Sequence, residues 1–248
     1  MDIELLQFPH SHFNEKARWA LDFKGIAHTR TDLMPGPHRK RIQALTGQTA
    51  TPVLRLGDEY IAGSARIIER LERDFPAAPR LMPVGAEARS LVLEFQRHFD
   101  RLLGPAVRVL VFAAMIDDSS YIPKLFASTQ PLAKRMLYRA MFPFMRKLIA
   151  KGNGLDRDHA VEQAERLVLD NMATLERYAR RGPYLAGGAF SVADLTAAAL
   201  VAPLVDPDHP DMNLPTPMPA PLAALITRWR EHYASQWVLG IYAKHRSQ

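Results

Sequence analysis

The 248-residue chain contains no cysteine. That absence excludes disulfides, cysteine-ligated metals and a thiol nucleophile supplied by the protein itself. Long apolar runs are missing too. The stretch L-L-G-P-A-V-R-V-L-V-F-A-A-M-I is interrupted by Arg108 and falls short of the roughly 20 residues that a membrane-spanning helix needs. The N-terminus carries no secretory pattern, because Asp2 and Glu4 break its first apolar stretch. A cytoplasmic protein is the expectation. Aromatic residues make up only 8% of the chain, and no nucleic-acid-binding motif accompanies the formal charge of +6, so nucleic acid is not an expected partner. What remains, 48% hydrophobic and 23% charged residues, is the composition of a globular protein with an ample core.

Two periodicities divide the chain. Residues 3–8 read as a strand and 14–24 as a helix that Gly25 stops. Residues 28–33 alternate as a second strand; P-G-P, the basic stretch H-R-K-R and a short helix ending near Gly47 follow. T-P-V-L-R-L and E-Y-I-A flank Gly57-Asp58, a hairpin signal, and 64–75 is an amphipathic helix ended by Pro76. The order is β-α-β-α-β-β-α. From residue 84 onward helical periods dominate, with helices expected at 85–117, 121–150, 156–181, 191–206 and 219–234 and a short last one at 237–243. The expectation is therefore two domains, an α/β domain at 1–80 and an all-α helical bundle at 84–248, with no internal repeat.

Ser11, flanked by His10 and His12, sits where the first strand hands over to the first helix. Such a junction offers free backbone N–H groups and a positive helix end to an anion. It is equally the ordinary place for a capping serine. Thr51-Pro52 opens a strand, where proline is tolerated; a cis bond there would turn the Thr51 backbone outward as a pairing edge. Ser64 also stands at a helix start, which leaves it the same two readings as Ser11. The H-x-H pair lacks a third nearby ligand, so no metal is assigned; protonated, either imidazole would favour a neighbouring thiolate. S-V-A-D at 191–194 is a capping box, read as structural.

From 119 to 155 there are seven Lys or Arg and no Asp or Glu, interleaved with Met, Phe and Leu. Three readings compete for this stretch: a helix with an apolar core face and a solvated basic face, a pocket lined by Met and aromatic side chains, or a membrane-surface helix drawn to anionic lipid, which Pro143 would bend.

The β-α-β-α-β-β-α order, T-P-V-L at the third strand, G-S-A-R-I-I-E-R-L at the last helix of that unit, K-A-R-W-A-L-D-F-K-G-I in the first helix, and Y-L-A-G-G-A-F-S-V-A-D-L in the helical half together resemble the cytosolic glutathione S-transferases. The resemblance spans essentially the whole chain. It implies a thioredoxin-like N-terminal domain that binds glutathione, an all-helical domain that holds the second substrate, and a homodimer. It also implies that Ser11 is the hydroxyl that favours the glutathione thiolate, with Asn14 orienting it or donating to the sulfur itself. Gln7 and Phe8 occupy the place a tyrosine takes in other relatives, so the resemblance is to the serine type. Thr51 and Pro52 would pair with the peptide, Ser64 would take the γ-glutamyl carboxylate, Arg39 (or Lys40 or Arg41) the glycyl carboxylate, and Gln48 would reach the same ligand. One position departs from the pattern: relatives carry an acid before the serine, and this chain has Gly63.

The expected activity is attack of the glutathione thiolate on an apolar electrophile, as in detoxification, with glutathione as co-substrate and no metal. The alternative from another class is a non-catalytic binding protein that keeps the fold, with a weakened glutathione site and contact to a membrane surface.

Overall fold

The computed structural model describes residues 2–246 and holds four strands and eleven helices among them. The first unit runs β1 (Ile3–Gln7), α1 (His12–Phe23), β2 (Thr29–Asp32), α2 (His38–Thr46), β3 (Val53–Leu56), β4 (Glu59–Ala62) and α3 (Ser64–Asp74). The sheet order is β2-β1-β3-β4, with β1 parallel to β2 and antiparallel to β3. The hairpin expected at Gly57-Asp58 joins β3 to β4, and Gly57 takes the positive φ of 61° that its turn requires. Leu5, Leu54, Ile67 and Leu71 are buried where α1 and α3 cover the sheet, while Leu6, Val53 and Ile42 pack under α2 on the other face.

The helical half comprises α4 (Ala86–Arg101), α5 (Leu103–Met115), α6 (Tyr121–Ala127), α7 (Leu132–Gly152), α8 (Ala160–Ala179), α9 (Val192–Val205), α10 (Ala220–Arg230) and α11 (Tyr233–His245). The overall architecture is the expected one, a small mixed sheet with helices followed by an all-helical domain. Two expected helices are each divided. The 85–117 helix breaks at Leu102, and the 121–150 helix breaks between Ala127 and Leu132. Pro105 and Pro123 each lie in the first turn of a new helix and Pro131 just before one, positions where a missing N–H costs nothing.

Every residue of α9 is buried, and the helix packs against α1, α4, α5, α10 and α11. Its alanines let those neighbours approach closely, which makes α9 the central pillar. The capping box holds its start: Ser191 accepts from the Ala193 N–H, and Asp194 accepts from the Ser191 N–H at 2.9 Å and the Leu185 N–H at 2.7 Å. The structural reading of S-V-A-D is the right one.

Helix α1 joins the two halves through buried polar contacts. Lys16 reaches Asp100 on α4 at 2.7 Å, and His12 Nε2 lies 3.0 Å from the Gly104 carbonyl on α5. Glu15, fully buried, bridges Arg18 at 2.9 Å and Arg246 at 2.8 Å. Burial pushes the Glu15 carboxyl up, but the two guanidiniums prevail and hold it down at about 2. These contacts fix the strand-to-helix junction of α1 against the helical half.

Candidate active site

Ser11 is the backbone N-cap of α1, with φ −90° and ψ 124°, and its carbonyl accepts from the Glu15 N–H at 2.7 Å. Its side chain does not cap. The hydroxyl oxygen instead accepts from Asn14 Nδ2 at 2.7 Å, and the same amide reaches Thr51 Oγ1 at 3.2 Å. The capping reading therefore fails for the Ser11 side chain. Because Asn14 donates, the serine hydrogen is left free to turn toward the cavity that Ser11 and Thr51 line. The α1 N–H groups, uncapped by that side chain, add the positive end of the helix to the same place.

The Thr51–Pro52 peptide bond is cis. The Pro52 carbonyl accepts from the Gly63 N–H at 2.9 Å, which ties the start of β3 to the start of α3. Gly63 is the N-cap of α3 and has φ 93°, a conformation that side-chain-bearing residues rarely adopt. Ser64, 5% exposed, is thus the first helical residue and not the cap.

His10 and His12 lead apart. His10 has φ 56°, lines the cavity and has a buried Nδ1 without a hydrogen-bond partner. Burial, with Arg18 nearby, lowers its imidazole to about 4. His12 is turned to Gly104, and burial, with Arg108 nearby, lowers it to about 3. Both rings are neutral at pH 7, so the expectation of a protonated imidazole beside a thiolate is corrected.

The cavity between the two halves has a volume of about 480 Å³. Its sheet-domain wall includes Phe8, Ser11, His38, Arg39 and Thr51; its helical wall includes Arg108, Phe112, Met115, Phe126 and Met145. His38 organises the floor. Its Nε2 donates to the Thr49 carbonyl at 3.0 Å, its Nδ1 accepts from the Gly36 N–H at 3.2 Å, and its ring meets Phe8 edge-on. The structure thus gathers Ser11, Thr51 and Arg39 on one cavity, with Asn14 directly behind Ser11 and 1% exposed. Pro52, Gly63 and Ser64 lie beyond its lining at the adjoining strand and helix starts. Gln48 uses its amide within its own loop, toward Thr46 and Ala50.

Sequence reasoning did not select His38, His10 or Arg108 as site residues. Arg108 carried one usable signal, a lone charge in an otherwise apolar helix.

The basic stretch divides three ways. Tyr138, Phe142 and Ile149 of α7 are buried, and Met145, Leu148 and Ile149 line the cavity. Leu132, Met136, Leu137, Met141 and Phe144 are exposed, Phe144 to 89%, so the apolar residues are not one core face. Gln130 Nε2 donates to the Asp32 carbonyl at 2.8 Å and the Tyr138 hydroxyl to the Pro35 carbonyl at 3.0 Å, which hold α7 over the cavity mouth. No helix among the described residues is long and apolar enough to cross a membrane.

A search of curated protein sequences finds no match. Among solved structures, the β-etherase LigF of a Sphingobium species superposes with a TM-score of 0.65 at 18% identity, covering 97% of this chain and 99% of its own. A glutathione S-transferase from Rhodospirillum rubrum gives 0.63 at 20% identity, covering 98% and 88%. The theta class enzyme of Xanthomonas axonopodis pv. citri, solved with glutathione bound, gives 0.59 at 19% identity, covering 96% of each chain. At such identities the likeness is one of fold. Two family models match the sequence itself, the glutathione S-transferase N-terminal domain over residues 5–79 and the C-terminal domain over 158–235. Together they take in well over half of the chain, which belongs to the glutathione S-transferase family.

Proposed function

We propose that the protein is a glutathione transferase of the serine type, in which the Ser11 hydroxyl donates to the sulfur of bound glutathione. One observation carries this reading: the Ser11 oxygen accepts from Asn14 and does not cap its helix, so its hydrogen is free to point into the cavity. An ordinary thiol has a pKa of about 8.5, so only a few per cent is ionised at pH 7. Each unit of lowering corresponds to about 1.4 kcal/mol. A hydroxyl donor and the α1 N-terminus both favour the anion. The thiol proton leaves to solvent, the sulfur pair forms a bond to the electrophilic carbon, and the leaving group departs with its bonding pair. Ser11 forms no covalent intermediate; rate comes from ionisation and from holding two reactants together.

Thr51 and Pro52 would pair with the glutathione backbone, the Ser64 N–H and hydroxyl would hold the γ-glutamyl carboxylate at the start of α3, next to Gly63, and Arg39 would face the glycyl carboxylate. Gln48 stays a candidate only if its loop opens, and the homodimer and cytoplasmic location belong to the same proposal.

A second reading, a binding protein that keeps the fold, is favoured by Gly63. Without the acid there, the γ-glutamyl ammonium lacks a charge-assisted bond worth about 1.5–3 kcal/mol, or roughly ten- to a hundredfold in affinity. Calorimetric titration with glutathione decides between the two. Saturable binding at millimolar concentration or below, with turnover of an activated aryl halide, supports the enzyme. Absence of binding up to several millimolar removes it and leaves the binding protein.

A further inference from the structure

The cavity has cationic and neutral walls but no acidic one. Its titratable lining side chains are Arg39, Arg108, His10, His12 and His38, and no Asp or Glu is among them. Arg108 lies on α5, one turn beyond the Gly104 carbonyl that His12 meets, so it belongs to the helical wall facing the Ser11 junction. Its Nε is buried without a hydrogen-bond partner. Among the described residues no carboxylate pairs with it, and its charged neighbour is Arg157, of the same sign.

A guanidinium does not shed its proton inside a protein. An unpaired charge taken out of water is costly, so such groups normally have a partner. The buried cations that link the two halves each have one: Lys16 has Asp100, Arg18 has Glu15, and Arg246 has Glu15; Arg108 is half-buried, with its Nε enclosed. Arg108 alone among these opens into an apolar cavity, beside Phe112, Met115 and Phe126. We propose that the second substrate is an apolar electrophile bearing an anionic group, a carboxylate in the simplest case, which pairs with Arg108. The inference rests on the cavity being the electrophile site of a glutathione transferase. The carboxylate is a spectator, unchanged while the sulfur–carbon bond forms and the leaving group departs. Glutathione's own carboxylates have other candidate partners, Arg39 on the opposite wall and Ser64 beyond the lining at the start of α3.

The test compares 4-chloro-3-nitrobenzoate with 4-chloro-3-nitrobenzamide, nearly equal in shape but different in charge, on wild type, Arg108→Gln and Arg108→Met at saturating glutathione. Dividing the benzoate-to-benzamide ratio of kcat/KM in each variant by the same ratio in wild type cancels the intrinsic reactivities of the two compounds. The expected result is a loss of about 10- to 100-fold for the benzoate in both variants, with less than about threefold for the benzamide. Glutathione affinity should be unchanged, and Arg108→Met should melt no lower than wild type, since an unpaired charge is being removed. An equal loss for both compounds, or a fall in glutathione affinity in place of benzoate selectivity, overturns the proposal. If neither compound turns over, the transferase reading has failed separately. Calorimetry with the benzoate alone then decides: binding to wild type and at least tenfold weaker binding to Arg108→Gln supports the anion site, and equal or absent binding ends it.

Discussion

Asn14 Nδ2 stands 2.7 Å from Ser11 Oγ and 3.2 Å from Thr51 Oγ1, joining the first turn of α1 to the residue that precedes the cis proline. One amide thereby sets the direction in which a serine hydrogen points and fixes the strand start beside it. Asn14 touches neither the cavity nor, in the proposed reading, the reacting atoms; it is a positioning residue.

Reversing that polarity should be worse than removing it. In Asn14→Ala the serine loses its donor, and kcat/KM should fall about tenfold, the value of one hydrogen bond in a dry site. In Asn14→Asp the carboxylate accepts the serine hydrogen and draws it away from the cavity. The loss should then be larger, and the apparent pKa of the pH–rate profile should rise in the aspartate variant. A profile displaced equally in both variants would mean that Asn14 acts only through packing.

Gly63 sets affinity against stability. Its φ of 93° is strained for any residue with a Cβ, although no atom lies within 4 Å of the place a Cβ would take. Gly63→Glu should lower folding stability by about 1–3 kcal/mol. It should also supply the missing partner for the γ-glutamyl ammonium and tighten glutathione binding by roughly 10- to 100-fold. Urea unfolding and calorimetry on the same variant read the two effects separately.

The Glu15 pair gives a clear sign in acid. Its folded carboxyl is held at about 2, below the ordinary value of 4.5, by Arg18 and Arg246 against the opposing effect of burial. The unfolded chain therefore takes up a proton first. The stability Glu15 contributes is complete above about pH 4.5 and is lost as pH falls through about 2. Glu15→Gln leaves Arg18 with Asp211 and Arg246 with Asp22 and Asp211, so the loss of the buried anion should cost about 1.5–3 kcal/mol at pH 7. Its stability should also vary less with pH between 4.5 and 2, measured by denaturant unfolding.

The histidines act at a higher pH. Burial holds His10 at about 4 and His12 at about 3, both below the ordinary 6.5. Their contribution is present above pH 6.5 and is lost as pH falls toward those values, with a slope of up to about 1.4 kcal/mol per pH unit for each ring. His12→Gln keeps a donor for the Gly104 carbonyl but does not titrate. Its unfolding free energy should fall less steeply than that of wild type between pH 6.5 and 4.

Much of the frame was legible because the N-terminal unit alternates between two periods. β1 to α3 follow the sequence pattern within a few residues at each end. The long helices were misjudged even though Ser128-Thr129-Gln130-Pro131 marks one of the divisions with polar residues and a proline. Around Leu102 the charged Asp100 and Arg101 suit the solvated face of a helix as well as its end, and the punctuation comes from Pro105, in the first turn of the next helix. Of the candidate site, the position of Ser11 at a strand-to-helix junction was legible in the sequence. The Asn14 contact depends on a turn of helix and on a loop 37 residues away, so its geometry had to come from the fold. His38 was hidden in a basic stretch that reads as a solvated loop, and Arg108 looked like an interruption of an apolar run. Only the meeting of α5 with the Ser11 junction turns that interruption into a wall of a cavity.

The central claim is that the Ser11 hydroxyl stabilises a thiolate brought by the ligand. It is tested most directly by the ultraviolet absorbance of bound glutathione thiolate, titrated against pH in wild type and Ser11→Ala with binding checked calorimetrically at each pH. The expected result is binding by both proteins, with the thiol pKa lowered by about one or two units from 8.5 in wild type and close to 8.5 in the variant. The same lowered pKa in both proteins would contradict the claim and move the stabilisation to the α1 N-terminus.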